Sequence, residues 1–360
     1  VYWSCVAESW LPSLIRIAVV KKTLQRWSRS SMNNFHLSRL IGHHEFWLGL
    51  LVIALAVGLS VSTDEFLSLG NLTDVATSYA ILGILACGLF VVLISGGIDI
   101  SFPAMTAIAQ YAMASWVIAH GGNFLLALTI AIAVGLLLGL INGFLVYWLR
   151  VPAIIITIAT LNVYYGLLVY ATKGTWLYGF PDWFMNGINW FSFTAADGYD
   201  YGITLPLLCL AAVIVFTAIL MNYTRLGRQI YAMGGNRDAA SRLGLNLLKL
   251  HFYVYGYMGI LAGVAAVVQA QITQSVAPNS LLGFELTVLA AVVLGGTSMS
   301  GGRGTLTGTL LGVILLAFLQ NGLTLLSVSS YWHTVFSGII ILVSISATAW
   351  NEKRKLAREL

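Results

Sequence analysis

Phe124–Trp148 reads FLLALTIAIAVGLLLGLINGFLVYW, with no charged residue and Asn142 as its only amide. At about 1.5 Å per residue, a helix of this length outreaches the roughly 30 Å hydrocarbon core of a bilayer. It is apolar on every face, whereas a helix on a water-soluble domain keeps one polar side. Its apolar residues are continuous rather than alternating, which favours a helix over a barrel strand. Gly135, Gly139 and Gly143 recur every fourth residue and form a stripe that lets another backbone approach. Gly304, Gly308 and Gly312 repeat the pattern near the other end of the chain.

Nine more apolar runs surround this one, at about Phe46–Val61, Val75–Ser95, Pro103–Ala119, Pro152–Ala171, Ile203–Met221, Leu250–Gln271, Leu286–Gly295, Leu306–Leu326 and Trp332–Trp350. Leu286–Gly295 is too short to span alone and is expected to extend back through Phe284 and Glu285. The expected fold is therefore an all-α polytopic membrane protein of about ten transmembrane helices. Composition agrees: 59% of the 360 residues are hydrophobic and 9% are charged, where a soluble domain has about a quarter. Disorder is excluded by the same hydrophobicity. Residues 1–44 are read as a cytoplasmic N-terminal segment, 45–350 as the membrane domain and 351–360 as a basic tail.

The connections divide by charge. Basic residues lie before the first run, at Arg150, in the connection Arg225–Lys249, at Arg303 and in the tail. With ten spans all of these fall on one side, leaving Lys173 among Asp64, Glu65, Asp74, Asp182, Asp197 and Asp200 on the other. Basic connections stay in the cytoplasm, so both termini are expected inside a bacterial inner membrane. The net charge of +5 is then topological, with anionic lipid headgroups as sufficient partners and no nucleic acid required. Leu14–Trp27 fits a basic amphipathic helix on the membrane surface. Equally, residues 1–31, which precede Met32, fit a translated upstream stretch without a role. The long connection Thr172–Gly202 carries Trp176, Tyr178, Trp183, Trp190, Tyr199 and Tyr201, which suit either headgroup-level aromatics or a docking surface.

Catalytic signatures are missing. The chain has no P-loop, HExxH, GxSxG or CxxC sequence, and Cys5, Cys87 and Cys209 are scattered. Neither a metal nor a catalytic residue is expected. No acid lies inside a run, and Asp99 and Glu285 lie at run ends, which argues against a proton-driven carrier. Three connections carry the remaining signals. Ser95-Gly96-Gly97-Ile98-Asp99-Ile100-Ser101 interrupts an apolar stretch; it suits a turn in which Asp99 caps the next helix, and also a gate. Gly295-Gly296-Thr297-Ser298-Met299-Ser300-Gly301-Gly302-Arg303-Gly304 has five glycines in ten residues. No Lys-Ser/Thr follows it, so a tight re-entry between spans suits it better than a phosphate cradle. In the inner connection, Gly234-Gly235-Asn236 signals a turn. Arg237–Leu243 forms a short helix with Asp238 near its start, and Gly244 is its natural C-cap. Such an exposed helix suits either a partner's groove or an ordinary surface.

Four stretches occur in the order SGGIDIS, RVPAIIITIATL, GRQIYAMGGNRDAASRLGL and AAVVLGGTSMSGGRGTLTGTLLG. Together they resemble the permease subunits of ribose-type sugar ABC importers, over about Glu45–Ala349. After the first motif this chain has Phe102-Pro103 where the family has Val-Gly. The resemblance implies a type II ABC importer-like permease fold, similar to the large vitamin-importer permeases. It implies a second permease copy or homologue, a separate ABC ATPase and a periplasmic or lipid-anchored sugar-binding protein. ATP and magnesium would sit on the ATPase, so no cofactor belongs to this chain. The substrate would be a monosaccharide or related small polyol; a branched-chain amino-acid permease and a self-contained carrier are the alternatives. The match places the ATPase-coupling segment on Arg228–Gly244, including Gly234, Gly235, Asn236, Arg237, Asp238, Ala240, Arg242 and Gly244. Gating turns would hold Gly96, Gly97, Asp99, Ser101, Gly295, Gly296, Gly301, Gly302 and Arg303. Asn142, Asn162, Gln269 and Asn321 are candidates for lining the path.

Overall fold

The structure, a computed structural model, describes residues 44–185, 192–194, 200–329 and scattered positions between 331 and 346. The N-terminal segment with Leu14–Trp27, the basic tail and most of the run Trp332–Trp350 lie outside the described residues. Residues 1–50 and 51–360 form two contact units. Of the first, only the opening turns of the first helix are described.

Helix α1 is His44–Ser62. Then follow α2 (Leu69–Ser78), α3 (Ala80–Ile94), α4 (Phe102–His120), α5 (Phe124–Leu149), α6 (Ala153–Thr172) and the short α7 (Asp182–Met185). Two three-residue strands, β1 (Ser192–Thr194) and β2 (Asp200–Gly202), pair antiparallel. After them come α8 (Leu205–Ala218), closed by a π turn through Tyr223, then α9 (Arg225–Gly235), α10 (Arg237–Arg242), α11 (Leu247–Thr273), α12 (Phe284–Leu294) and α13 (Leu306–Leu325). Among the described residues, seven helices are long and apolar enough to cross a membrane. The pair α2–α3, bent by 44°, makes an eighth if it is one span. The chain is thus an all-α polytopic membrane protein. The short run begins at Phe284 as expected, yet α12 has only 11 residues and falls short of a span.

Burial separates the helices that face lipid from those that do not. Every residue of α3 is buried, as expected of a helix apolar on all sides. Helix α11 is buried along most of its length. Helix α5, by contrast, exposes Leu125, Leu137, Ile141, Phe144 and Trp148. Its buried face is Ala127, Ala131, Gly135, Gly139, Asn142, Gly143 and Val146, so the small-residue stripe is the seam. That seam meets α11. A side chain added at Gly135 would strike the Gly259 carbonyl, and one at Gly139 the Tyr255 carbonyl. One at Gly263 would come within 2.5 Å of the Ala131 carbonyl. Two backbones therefore touch directly, which maximises dispersion contact where lipid offers no hydrophobic driving force. The second stripe works alike: added side chains at Gly308 and Gly312 would strike the carbonyls of Gly295 and Ala291.

Candidate functional site

The two Gly-rich connections turn the chain in the same way. Helix α3 closes with Gly96 N–H donating to the Leu93 carbonyl at 2.9 Å and Gly97 N–H to the Val92 carbonyl at 3.2 Å. Helix α12 closes with Gly296 N–H on the Val293 carbonyl at 2.9 Å and Thr297 N–H on the Val292 carbonyl at 3.3 Å. Gly96 and Gly296 have φ of +85° and +86°. This is one left-handed helix-ending motif used twice. The side chains of the two stretches match poorly, but the backbones match well.

The turns also meet. Gly302 N–H donates to the Ile94 carbonyl at 2.9 Å. The position of an added carbon on Gly301 lies 2.7 Å from Gly96 Cα, and one on Gly302 lies 2.7 Å from Gly235 Cα. An added carbon on Gly234 would strike the Ile94 carbonyl. The end of α3, the second Gly-rich turn and the end of α9 thus form a knot of bare backbone. The glycines of 295–304 are spent on the protein's own chain rather than on a phosphate. A side-chain bond reinforces the knot: the Tyr231 hydroxyl of α9 donates to the Gly304 carbonyl at 2.9 Å.

Gly234 and Gly235 differ from the sequence expectation. They do not make the turn; α9 runs through Gly235, and the break falls at Asn236. Glycine costs about 1 kcal/mol in a helix, and at Gly234 the close approach to Ile94 requires it. Asn236 caps α10, its side-chain oxygen accepting from Ala239 N–H at 2.9 Å. Helix α10 ends as expected: Gly244, at φ +80°, donates to the Ser241 carbonyl at 3.0 Å, and Leu245 N–H to the Ala240 carbonyl at 3.2 Å. The inner face of this two-helix connection buries Gly227, Ile230, Met233 and Ala240. The outer face presents Arg228, Arg237, Asp238, Arg242 and a 79% exposed Leu243. Arg303 is exposed in the neighbouring turn.

Between Gly97 and α4 the chain is pinned from inside. One carboxylate oxygen of Asp99 accepts from Ser101 N–H at 2.8 Å and from the Ser101 hydroxyl at 2.6 Å. The Ser101 hydroxyl accepts from the Asn142 amide at 2.6 Å, and the Asn142 carbonyl oxygen accepts from the Tyr164 hydroxyl at 3.1 Å. Thr157 on α6 donates to the Ile98 carbonyl at 3.0 Å. Asp99 therefore fixes the turn before α4 and joins it to α5 and α6. Asp99 is 1% exposed and its other oxygen has no partner. Burial, partly offset by the Ser101 bonds, pushes its carboxyl up to about 6.

A carboxyl held above its unfolded value binds protons more tightly in the folded protein. The contribution of Asp99 to stability is then greatest below about pH 4 and is lost as pH rises through about 6. Asp99→Asn removes the buried charge, keeps an acceptor for Ser101, and should raise stability at pH 7.5 by about 2–3 kcal/mol. Thermal melting of the detergent-solubilised chain at pH 5 and pH 7.5 checks this. A variant melting no higher than the parent at pH 7.5 would show that the charge is not the cost.

The four candidate path residues are not brought together. Asn142 is consumed in the Asp99 chain. Asn321 on α13 exchanges amide bonds of 2.8 and 3.1 Å with Asn71 on α2. Asn162 faces outward and donates to the Ile158 carbonyl of its own helix at 2.8 Å. Gln269 is half-buried on α11. Sequence reading gave no individual role to Tyr231 or Tyr164, single polar residues in amphipathic or apolar stretches whose type does not name a partner. Among the described residues no group of His, Cys, Asp or Glu could hold a metal.

Two matched helix ends are thus tied to an exposed basic connection, and comparison with known proteins gives the chain its family. Residues 71–345 match the family model described as "Branched-chain amino acid transport system / permease component". The chain belongs to this family. It is 33% identical over 299 residues to the ribose import permease protein RbsC of Escherichia coli (strain K12), covering 83% of this chain and 91% of that one. It is 35% identical over 299 residues to RbsC of Bacillus subtilis (strain 168), covering 83% and 90%. It is 32% identical over 295 residues to the autoinducer 2 import system permease protein LsrC of Yersinia enterocolitica, covering 81% and 79%. No solved structure matches it. This chain is a multi-pass transport permease of that family.

Proposed function

We propose that the chain is the membrane-spanning subunit of an ABC importer that passes a monosaccharide or related small polyol across the bacterial inner membrane. Two copies, or a copy and a homologue, would form the passage. A separate ATPase would hold ATP and magnesium and dock on Arg228–Gly244 at the cytoplasmic side. A sugar-binding protein would deliver substrate outside. The observation that carries the reading is the backbone knot, because it joins the docking connection directly to both Gly-rich turns. Movement of α9 and α10 then shifts the ends of α3 and α12 without an intervening flexible piece. A nucleotide-driven change can bias the gate only if the ATPase holds the two gate states with different affinity. The sugar assignment is supported by the relatives' names, since the family's title alone would suit an amino acid.

The chain in proteoliposomes with its ATPase and binding protein should accumulate labelled ribose, or a sugar from a panel, only when ATP is supplied. Alone under a proton or sodium gradient it should accumulate nothing. Uphill uptake by the chain alone would overturn the reading, and uptake of leucine in place of sugars would move it to amino acids. A finer test is Arg228→Glu combined with Arg242→Glu. Both positions are exposed, so folding should be unchanged while ATP-driven uptake falls by about tenfold or more through a reversed charge at a docked surface. Unchanged uptake would remove these arginines from the docking face.

A further inference from the structure

A cavity of about 440 Å³ opens beside the knot and is lined in part by its glycines Gly96, Gly234 and Gly235. It lies between the turn at Gly97, the α5–α6 corner at Arg150, the α9–α10 corner at Asn236 and Arg237, and His251 and Tyr255 of α11. Its volume falls in the range of about 300–1,000 Å³ usual for small-molecule sites. Its charge is of one sign. Arg150 and Arg237 line it and no carboxylate does. Among the described residues neither guanidinium has a hydrogen-bond or ion-pair partner. Tyr255 is 1% exposed, and its hydroxyl, on the wall behind Gly97, has no partner. Both guanidiniums are open to solvent at the cavity, and guanidinium forks are matched in geometry to a phosphate. The Tyr255 hydroxyl is sealed from the cavity and takes no part in holding an occupant.

We infer that this cavity binds a phosphate-bearing anion, either a soluble phosphate monoester or the headgroup of an anionic lipid. Arg150 and Arg237 hold the phosphate oxygens from two sides. Arg237 belongs to the docking connection and Arg150 to the corner of the membrane helices. A bound anion therefore ties these pieces together and opposes the movement proposed for the connection. An occupant from the cytoplasm would slow transport from the inner side.

The test uses the purified whole chain, so it does not depend on any transport reading. In phosphatidylcholine nanodiscs, inorganic phosphate and glucose 6-phosphate are titrated by calorimetry. In parallel, nanodiscs containing phosphatidylglycerol are analysed for retained lipid by native mass spectrometry. The principal variant is Arg150→Gly. Arg150 has φ of +55°, a conformation in which glycine is unstrained, so the variant removes the guanidinium without burdening the fold. Arg237→Gln is the second. Saturable phosphate binding weakened by about tenfold or more in both variants supports a soluble occupant. Retained phosphatidylglycerol that is lost from both variants supports a lipid headgroup. Absence of both signals, or signals indifferent to the two substitutions, overturns the inference.

Discussion

Gly234→Ala should abolish ATP-driven uptake, while Gly235→Ala, one residue on, should leave it near that of the parent. The two glycines are adjacent at the end of the same helix, and propensity alone favours alanine at both by up to about 1 kcal/mol. Space decides between them. A methyl group at Gly234 would strike the Ile94 carbonyl and lie 2.8 Å from the Gly302 nitrogen. Both of these are backbone atoms, and they are bonded to each other at 2.9 Å, so neither can give way without opening the knot. A methyl group at Gly235 meets nothing within 4 Å. Overpacking of this kind costs about 1–3 kcal/mol. Here the cost falls on the joint that would carry motion to both Gly-rich turns. The chain should still reach the membrane, because the knot lies at one end of the helices and their seams are untouched. Uptake in proteoliposomes, with ATPase activity measured alongside, checks this. Gly234→Ala should lose more than about tenfold in uptake, a ratio that corresponds to about 1.4 kcal/mol. Equal behaviour of the two variants would show that the knot is packing and not linkage.

This contrast also marks what the sequence carries. The spans are legible because a run of about 20 apolar residues admits few other fates in a cell. The end of α10 is legible because Gly244 supplies the φ of +80° that side-chain-bearing residues rarely adopt. Gly234 and Gly235 look like the same signal and serve a different purpose. Glycine marks either a turn or a close approach, and only the partner backbone, Ile94 some 140 residues earlier in the chain, distinguishes them. Asn142 is a similar case. An amide in an apolar helix reads as a polar wall or as a helix-to-helix bond. Its partner Ser101 lies 41 residues away, and local pattern is silent on such distances. The repeated helix ending at Gly96 and Gly296 stays hidden for another reason. Its bonds are backbone to backbone, and only the left-handed glycine is prescribed by type.

The largest structural loss is expected from Gly139→Leu. Periodicity shows that Gly135, Gly139 and Gly143 share a face, and the fold supplies the partner. At Gly139 an added side chain would strike the Tyr255 carbonyl and come 3.0 Å from Gly259 Cα. Those atoms belong to α11, one of the most deeply buried helices, which cannot retreat because α3 and α4 pack on it as well. The helices must separate along the seam, giving up contacts worth about 0.1–0.2 kcal/mol per atom pair over several turns. Together with strain, the expected loss is about 3 kcal/mol or more. Gly166→Leu is the matched control. That glycine is also in a long helix, α6, and a side chain there meets nothing within 4 Å. Since lipid is as apolar as leucine, the control should melt within about 0.5 kcal/mol of the parent. Yield of folded protein and melting temperature in detergent check both variants. If Gly139→Leu accumulates and melts like Gly166→Leu, the α5–α11 seam is not what holds these helices together.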